Sequence, residues 1–128
     1  MTKQLVSSGS PFESTIGFSR AVRINDTIAV SGTAPLTETG STACPGDAYG
    51  QTRRCLEIIQ TAIEELGGSM KDVIRTRLYL GDIRRWKECA KAHAEFFCEI
   101  KPASTIVEVS HLIKSDWLIE IEADCVIS

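Results

Sequence analysis

Residues 51–80, QTRRCLEIIQTAIEELGGSMKDVIRTRLYL, decide the fold because they carry a helical pattern and then a strand pattern, separated by two glycines. Apolar residues of the first half recur every three or four positions, which predicts an amphipathic helix that ends at Gly67-Gly68. The stripe consists of Cys55, Ile58, Ile59, Ala62, Ile63 and Leu66. The second half alternates two sets of residues and predicts a strand covered on its more apolar side. The more apolar set is Ile74, Thr76, Leu78 and Leu80, and the other is Val73, Arg75, Arg77 and Tyr79.

The N-terminal third predicts a β-hairpin and an exposed loop. Residues 21–32, AVRINDTIAVSG, are rich in β-branched residues on both sides of Asn25-Asp26, a pair that is typical of a tight turn. Residues 37–47, TETGSTACPGD, are small and turn-forming, which predicts the loop. Upstream, residues 3–8, KQLVSS, offer one additional strand.

The C-terminal half predicts a second helix and two more strands. Residues 84–98 place apolar side chains on one helical face, and Lys101-Pro102 ends the segment because the residue before a proline is biased away from helix. That face consists of Trp86, Cys89, Ala90, His93, Phe96 and Phe97. Residues 104–112, STIVEVSHL, and 117–127, WLIEIEADCVI, alternate with period two and are rich in Ile and Val, as half-buried strands are.

The resulting order, ββ-α-β-α-ββ, predicts a single α+β domain over residues 1–128, with two helices packed on one face of a mixed sheet. The other sheet face needs a cover as well, since residues 27–32, TIAVSG, and 104–109, STIVEV, carry apolar residues at consecutive positions. No part of the chain remains to cover it. We therefore expect a homo-oligomer with closed cyclic symmetry.

Composition and charge argue against several classes of function. The net charge is −3 and basic residues are interleaved with acidic ones, so we expect no nucleic-acid partner. No signal-peptide core and no apolar run of about 18 residues is present, which predicts a cytoplasmic protein without a membrane partner. The five cysteines have no CxxC spacing and no histidine at ligand spacing, which predicts reduced thiols and neither a metal nor a cofactor. The role of Cys44, in the predicted loop, stays open.

Five strings occur in the order and spacing of one protein family. They are residues 16–36, IGFSRAVRINDTIAVSGTAPL; the stretch 51–80; 94–97, AEFF; 101–109, KPASTIVEV; and 119–123, IEIEA. In them the chain resembles, over nearly its whole length, the RidA/YjgF family of reactive-intermediate deaminases, also called L-PSP endoribonuclease-like. The resemblance implies a chorismate-mutase-like α+β domain that assembles as a homotrimer, with small-molecule pockets between subunits.

The resemblance also points to a missing group. Deaminating members of the family hold the substrate carboxylate with an arginine in a proline-small-arginine-Ser/Thr string, since a guanidinium fork matches a carboxylate with two parallel hydrogen bonds. In residues 102–105, PAST, Ser104 takes the place of that arginine. A neutral hydrogen bond contributes about 0.5–1.5 kcal/mol net, against roughly 1.5–3 kcal/mol for a charged one, so we expect weaker capture of a carboxylate.

The positions that remain are expected to line the family's pocket. The resemblance makes Glu120 the catalytic residue, near the water that attacks an imine. It makes the substrate-binding residues Phe18, Ser31, Ser104 and Thr105. Phe18 keeps an aromatic ring but loses the family's hydroxyl, and Ala90 stands where an asparagine is expected. Glu120 and Ser31 also have a plainer interpretation, as a solvated strand residue and a turn residue.

Several alternatives stay open at this point. Arg20, Arg75 or Arg77, on predicted strands, could take over the task of the missing arginine, although exposed strand arginines are usually only solvated. His93 and His111 have no Ser or Cys partner that the sequence identifies, which favours structural or surface roles. The chain is then a small-molecule-binding protein whose pocket does not select carboxylates, or an enamine or imine deaminase with an altered substrate. A purely structural or interaction role is the third possibility.

Overall fold

Six strands and three α-helices make up residues 2–128, the part of the chain that the computed structural model describes. The strands are β1 (Lys3–Val6), β2 (Ala21–Ile24), β3 (Thr27–Thr33), β4 (Val73–Leu80), β5 (Ala103–Glu108) and β6 (Ile119–Val126). The helices are α1 (Pro11–Ile16), α2 (Ala48–Glu65) and α3 (Trp86–Phe97). This succession confirms the predicted order and the additional N-terminal strand, and it adds one short helix, α1.

The strands form one mixed sheet in the order β1-β2-β3-β6-β4-β5. Neighbouring strands run antiparallel except β4 and β5, which are parallel and are connected through α3. Helices α2 and α3 pack together on one side of the sheet, which we call the covered face. Alternate strand residues such as Ile28, Leu78 and Ile121 point into this layer and are 0% exposed. The predicted α+β class, with helices on one face of a mixed sheet, is confirmed.

Helix α1 was not predicted, because its six residues are too few to show a helical period. Its signals are local instead. Ser10 accepts a hydrogen bond from the backbone N–H of Phe12, Pro11 occupies the first helical turn, and Gly17 ends the helix at φ 92°, a left-handed conformation that favours glycine. Helix α1 places Phe12 and Ile16 in the wall of a cavity beside β3 and β6.

A β-bulge changes the predicted faces of β4. The register against β6 shifts between Val73 and Arg75. Strict alternation would place Ile74 with the buried set, but Ile74 is 52% exposed and Val73 is 3% exposed. The predicted parity is therefore correct from Thr76 onward and wrong before the bulge, which exchanges the faces of the two residues that precede it.

Helix α3 buries a narrower face than predicted. Cys89, Ala92 and Phe97 are almost fully buried, whereas Trp86 is 46% exposed. Trp86 stands at the first position of the helix, directly after a 3₁₀ turn at Ile83–Arg85. The prediction that Trp86 belongs to the buried face is therefore wrong.

The opposite side of the sheet, which we call the open face, carries more charge than the consecutive apolar residues led us to expect. Its two ends are apolar, with Leu5 55% and Val107 40% exposed. Its centre carries Arg77, whose Nη1 lies 3.4 Å from Glu122 Oε1 and 3.2 Å from Asp124 Oδ2. The prediction of an apolar second face thus holds only at the edges of the sheet.

Candidate functional site

A cavity of ≈ 260 Å³ opens beside the end of the sheet formed by β3 and β6. Its walls are mostly aromatic and aliphatic, and a few polar groups lie among them. The side chains that line it include Phe12, Phe18, Trp117, Arg20, Ser31 and Glu120. We call it the Glu120 cavity. Of the residues expected at the site, it unites Phe18, Ser31 and Glu120.

Glu120 reaches this cavity because β6 turns its even-numbered residues toward the open face, where Glu120 pairs with Tyr79 of β4. The neighbouring strand β3 is irregular between Val30 and Thr33, and Gly32 leaves the space that the Glu120 carboxylate occupies. A Cβ atom at position 32 would collide with Glu120 Oε2. The glycine of the VSG string is therefore required for this carboxylate to lie over β3.

The environment of Glu120 favours its neutral form. Burial raises the pKa of the Glu120 carboxyl group, the charge of Arg20 partly opposes this, and Glu122 adds to it. Within residues 2–128, no hydrogen bond to the carboxylate accompanies these effects. The raised pKa makes this half-buried carboxyl group a stronger base than an ordinary one, which suits it to exchange a proton with a ligand or with water.

Ser31 presents an oxygen whose hydrogen is already engaged. Its Oγ donates to the Ser19 carbonyl oxygen over 2.7 Å, and its backbone N–H donates to the carbonyl of Arg20. Since a hydroxyl has one hydrogen and two lone pairs, Ser31 Oγ can act toward a ligand only as an acceptor. It is therefore suited to meet an N–H group.

Of the three candidate arginines, all within residues 2–128, Arg20 alone lines this cavity. Its side chain is buried, at 4% exposed. Its donors are largely occupied by protein groups. Nε donates to Ser8 Oγ, and Nη1 donates to the Gly32 carbonyl over 2.6 Å and to Thr33 Oγ1 over 3.0 Å. Nη2 lies 3.9 Å from Glu13 Oε2. Arg20 therefore clamps the irregular part of β3, and its guanidinium has no free fork for a carboxylate.

The other two candidate arginines lie elsewhere. Arg77 binds Glu122 and Asp124 at the centre of the open face. Arg75, on β4, is exposed and pairs with Asp124 of β6. Neither lines the Glu120 cavity. Replacement of the family arginine by Arg75 or Arg77 within one chain is therefore not supported by their positions.

Aromatic rings give the cavity its apolar character. Phe12 and Trp117 meet edge to face with ring centroids 5.5 Å apart, and the Phe18 ring lies 5.2 Å from the guanidinium carbon of Arg20. Trp117 is 4% exposed, and its indole N–H has no hydrogen-bond partner in residues 2–128. Phe12 and Trp117 were not predicted as site residues. The cap at Ser10-Pro11 and a tryptophan just before IEIEA were the signals available.

Ser104 and Thr105 lie outside this cavity. Both are on β5, an edge strand that pairs with β4 alone. Ser104 faces the covered side opposite Thr76, whereas Thr105 faces the open side opposite Arg77. Within one chain the expected residues therefore form two groups, and a second copy would have to bring Ser104 and Thr105 to the cavity.

A second cavity, of ≈ 270 Å³, lies on the other side of Arg20 and was not predicted. It is more polar, with residues 7–10 on one wall and Arg54 and Glu65 of α2 on another. Arg54 Nε donates to the Leu36 carbonyl over 2.6 Å, which ties this wall to the loop that follows β3. The two cavities share Ser10, Arg20 and Ala34.

The remaining reactive groups do not converge on a further centre in the described part of the chain. Residues 2–128 contain no group of three or more His, Cys, Asp or Glu side chains arranged to hold a metal ion. Cys44 and Cys98 are exposed thiols, and burial raises the pKa of the Cys125 thiol to about 12. No helix among these residues has the length and apolar character needed to cross a membrane.

Comparison with known proteins adds independent findings. The model of the endoribonuclease L-PSP family matches residues 9–127. A RutC family protein of Pyrococcus abyssi is 38% identical over 106 residues, which cover 83% of either chain. The 3-aminoacrylate deaminase RutC of Acinetobacter baylyi is 39% identical over 101 residues, 79% of either chain.

Similarity extends to solved structures. A member of the YjgF/YER057c/UK114 family from Mycobacterium tuberculosis has a TM-score of 0.89 at 42% identity, covering 98% of this chain and 100% of that one. The family match includes every element that carries the Glu120 cavity, from α1 to β6. The chain therefore belongs to the endoribonuclease L-PSP family, also called the RidA/YjgF family.

Proposed function

We propose that the protein binds a small, uncharged imine or enamine in the Glu120 cavity and hydrolyses it to a carbonyl compound and ammonia. The observation that carries the proposal is the Glu120 carboxyl group, which is half-buried in a mostly apolar cavity and has a raised pKa. The Acinetobacter relative is named as a deaminase, which supports the same class of reaction.

Ser31 and Glu120 supply complementary functions for this reaction. Ser31 Oγ, whose hydrogen is held by the Ser19 carbonyl, accepts from the N–H of the substrate. Glu120 accepts a proton from a water molecule as the water oxygen bonds to the imine carbon, and it returns the proton to nitrogen. The product of this step is a carbinolamine.

A second proton transfer completes the reaction. Glu120 takes the hydroxyl proton of the carbinolamine and delivers it to nitrogen, the C–N bond breaks, and ammonia leaves as the carbonyl forms. One water is consumed and one ammonia is released for each imine. An enamine enters the same sequence once its β-carbon has gained a proton and its nitrogen has lost one, which converts it to the imine.

The walls of the cavity favour a substrate without a carboxylate. A buried carboxylate requires a charged partner, but the Nε and Nη1 donors of Arg20, the guanidinium in this cavity, are directed at Ser8, Gly32 and Thr33, and Nη2 lies near Glu13. The aromatic rings of Phe12 and Trp117 offer apolar contact instead. The ligand of this proposal is a small molecule and not RNA, since carboxylates dominate the nearby open face.

The proposal includes a homotrimer in which each subunit contacts its neighbours through its open face and through the edge strand β5, where Ser104 faces the covered side but is exposed. Ser104 and Thr105 on the edge strand β5 would then lie against the Glu120 cavity of a neighbouring copy and line it from outside. The exposed apolar ends of the open face, at Leu5 and Val107, support such a contact. Burial between subunits would also limit the access of bulk solvent to the cavity, beyond the one water molecule that reacts.

Glu120→Gln tests the proposal because it keeps the shape of the side chain and removes its titration. The substrate is benzophenone imine, an uncharged N–H imine, and ammonia release is followed against the uncatalysed rate. We expect a loss of roughly 10²–10⁴-fold in kcat, the range for removal of a general acid–base group. The matched control is Glu122→Gln, two residues along the same strand face, which should retain activity.

Two results would contradict the proposal. Equal turnover by wild type and Glu120→Gln would remove Glu120 from the chemistry. Saturable binding of the imine without any acceleration by the wild type would leave a ligand-binding protein, the alternative function that the sequence left open.

A further inference from the structure

One imidazole and two hydroxyl groups form a hydrogen-bonded chain at the edge of the sheet, away from the Glu120 cavity. His93 Nε2 lies 2.9 Å from Thr76 Oγ1, and Thr76 Oγ1 donates to Ser104 Oγ over 2.8 Å. His93 is on α3, Thr76 on β4 and Ser104 on β5, so the chain connects the helix layer to the edge of the sheet. Thr76 is 0% exposed, and Ser104 is exposed.

The chain has a direction. The hydroxyl of Thr76 has one hydrogen, and it points to Ser104. Thr76 Oγ1 must therefore accept from His93, whose Nε2 carries a hydrogen. Burial lowers the pKa of His93, which favours the neutral ring, and the hydrogen bond to Thr76 Oγ1 then places the single ring hydrogen on Nε2. The Ser104 hydrogen takes no part in these bonds and is available to an acceptor outside the chain.

Such a chain differs from an ordinary buried hydroxyl pair. Hydrogen bonds in series polarise one another, so the last donor becomes stronger than an isolated serine. Thr76 stands among apolar neighbours on the covered face, with Leu78 and Leu80 on the same side of β4. A valine there would fill the same space without needing partners. The three polar groups end at an exposed hydroxyl on an edge strand, which indicates an external acceptor.

We propose that His93 and Thr76 are positioning residues that hold the Ser104 hydroxyl as a directed donor to an uncharged oxygen of the ligand, a carboxamide, ester or ketone group. The proposal rests on the proposed function, in which Ser104 meets the Glu120 cavity of a second copy. An uncharged oxygen is the matching acceptor because one neutral hydroxyl cannot compensate a desolvated carboxylate. The substrate class is therefore an imine or enamine that also carries a carbonyl oxygen.

A ligand pair tests the substrate class. The uncharged 3-methyl-2-oxobutanamide and the carboxylate 3-methyl-2-oxobutanoate have the same apolar body and resemble the products of such imines. Calorimetric titration of the wild-type protein should show tighter binding of the amide. Equal affinity for both ligands, tighter binding of the carboxylate, or no binding of the amide would overturn the assignment.

Substitutions in the hydrogen-bonded chain of His93, Thr76 and Ser104 test whether it positions the Ser104 hydroxyl. We expect Thr76→Val and Ser104→Ala each to weaken amide binding by roughly 2- to 12-fold, the value of one neutral hydrogen bond. The conservative Thr76→Ser should retain wild-type affinity. The double variant should bind the amide no more weakly than Ser104→Ala alone, because both substitutions remove the same hydrogen bond from Ser104 to the ligand. Wild-type amide affinity in a folded Thr76→Val protein would overturn the proposal that Thr76 positions Ser104.

Phe18→Ala, which removes a wall of the Glu120 cavity, separates this proposal from the proposed function. If it leaves amide binding unchanged, the ligand lies elsewhere and both proposals fail. If Phe18→Ala weakens amide binding while Thr76→Val and Ser104→Ala do not, only the proposed role of the hydrogen-bonded chain fails. The ¹⁵N shifts of His93, assigned by comparison with a His111→Gln variant, give a reading without ligand. A ring protonated on Nδ1 alone would reverse the chain and overturn the proposal.

Discussion

The two faces of the sheet use alternate residues of the same strands for different purposes, and β6 shows this most directly. Ile119 and Ile121 point to the covered face and are 0% exposed, while Glu120 and Glu122 point to the open face. The covered face is completed by α2 and α3 of the same chain. The open face is left with half-exposed charges and with a cavity at one end.

This difference separates stability from function. A residue of the covered face acts through apolar contacts that exist in every copy of the chain, so its contribution follows from burial alone. The ion pairs of Arg77 on the open face join side chains that are 31–41% exposed, and exposed pairs contribute only about 0–1 kcal/mol. What the open face does therefore depends on what covers it.

The largest effect is expected from a charge placed on the apolar end of the open face. Val107→Asp should convert a homotrimer of three chain masses into single chains, because the aspartate would have to be desolvated in the contact. Light scattering measures the mass. The matched control is Ile83→Asp, since Ile83 is 38% exposed, close to the 40% of Val107, but lies before α3 and outside the sheet. A wild type of one chain mass would contradict the trimer, and equal dissociation by both variants would contradict the role of the open face.

A pair of neighbouring substitutions in β6 measures the two faces directly. Ile121→Ala should lower the free energy of unfolding by about 2–5 kcal/mol, since a fully buried isoleucine leaves a cavity behind. Glu122→Gln, which keeps an acceptor for the hydroxyl of Tyr79, should cost less than about 1 kcal/mol. Urea unfolding at fixed protein concentration gives both values. A similar loss for both would mean that the Glu122 charge is buried when the open face is covered.

The covered face was predictable from the sequence, and the reason is its periodicity. The spacing of Ile59 and Ile63 in α2 and of Leu78 and Leu80 in β4 predicted their burial. The errors occurred where a local feature interrupts the period, at the bulge that exposes Ile74 and at the first turn of α3, which exposes Trp86. A single inserted residue cannot be seen in an alternating pattern of similar residues.

The candidate site was predictable only in part, because it combines distant segments. Phe18, Ser31 and Glu120 came from the resemblance, and the structure brings these three together. Phe12 and Trp117 are contributed by a six-residue helix and by the loop before β6, neither of which has a repeating pattern. The hydrogen bond from Thr76 to Ser104 depends on the register of β5 beside β4, which the sequence does not specify.

An arginine at position 104, on the edge strand β5, should change the ligand preference proposed for the Glu120 cavity. Ser104→Arg should increase activity on imino acids, or create it, by about tenfold, the difference between a neutral and a charged hydrogen bond. The substrate is the imino acid formed from leucine by an amino-acid oxidase, and its rate of hydrolysis is measured. Ser104→Lys, which adds the same charge without a fork, should give a smaller increase. Unchanged activity in a folded Ser104→Arg protein would indicate that Phe18 and Ala90 limit the reaction as much as Ser104 does.

The smallest effect concerns the pH dependence of stability, where the open face contributes through a single carboxyl group. Burial raises the folded-state pKa of Glu120 above its usual value of 4.5. Below that usual value the group is protonated in both the folded and the unfolded chain, so wild type and Glu120→Gln should be equally stable. As the pH rises through the raised pKa, the folded protein must hold a charge that the unfolded chain solvates better, and the wild type loses stability relative to Glu120→Gln. Above the raised pKa the difference stays constant.

Urea unfolding of wild type and Glu120→Gln between pH 4 and pH 8 checks the sign of this difference. A stability difference between wild type and Glu120→Gln that grows with pH would mark Glu120 as a carboxyl group that the cavity desolvates. A difference of the opposite sign would mean that the charge of Arg20 outweighs burial. Glu120 would then hold a proton less strongly than an ordinary carboxyl group and would be a weaker base toward the attacking water.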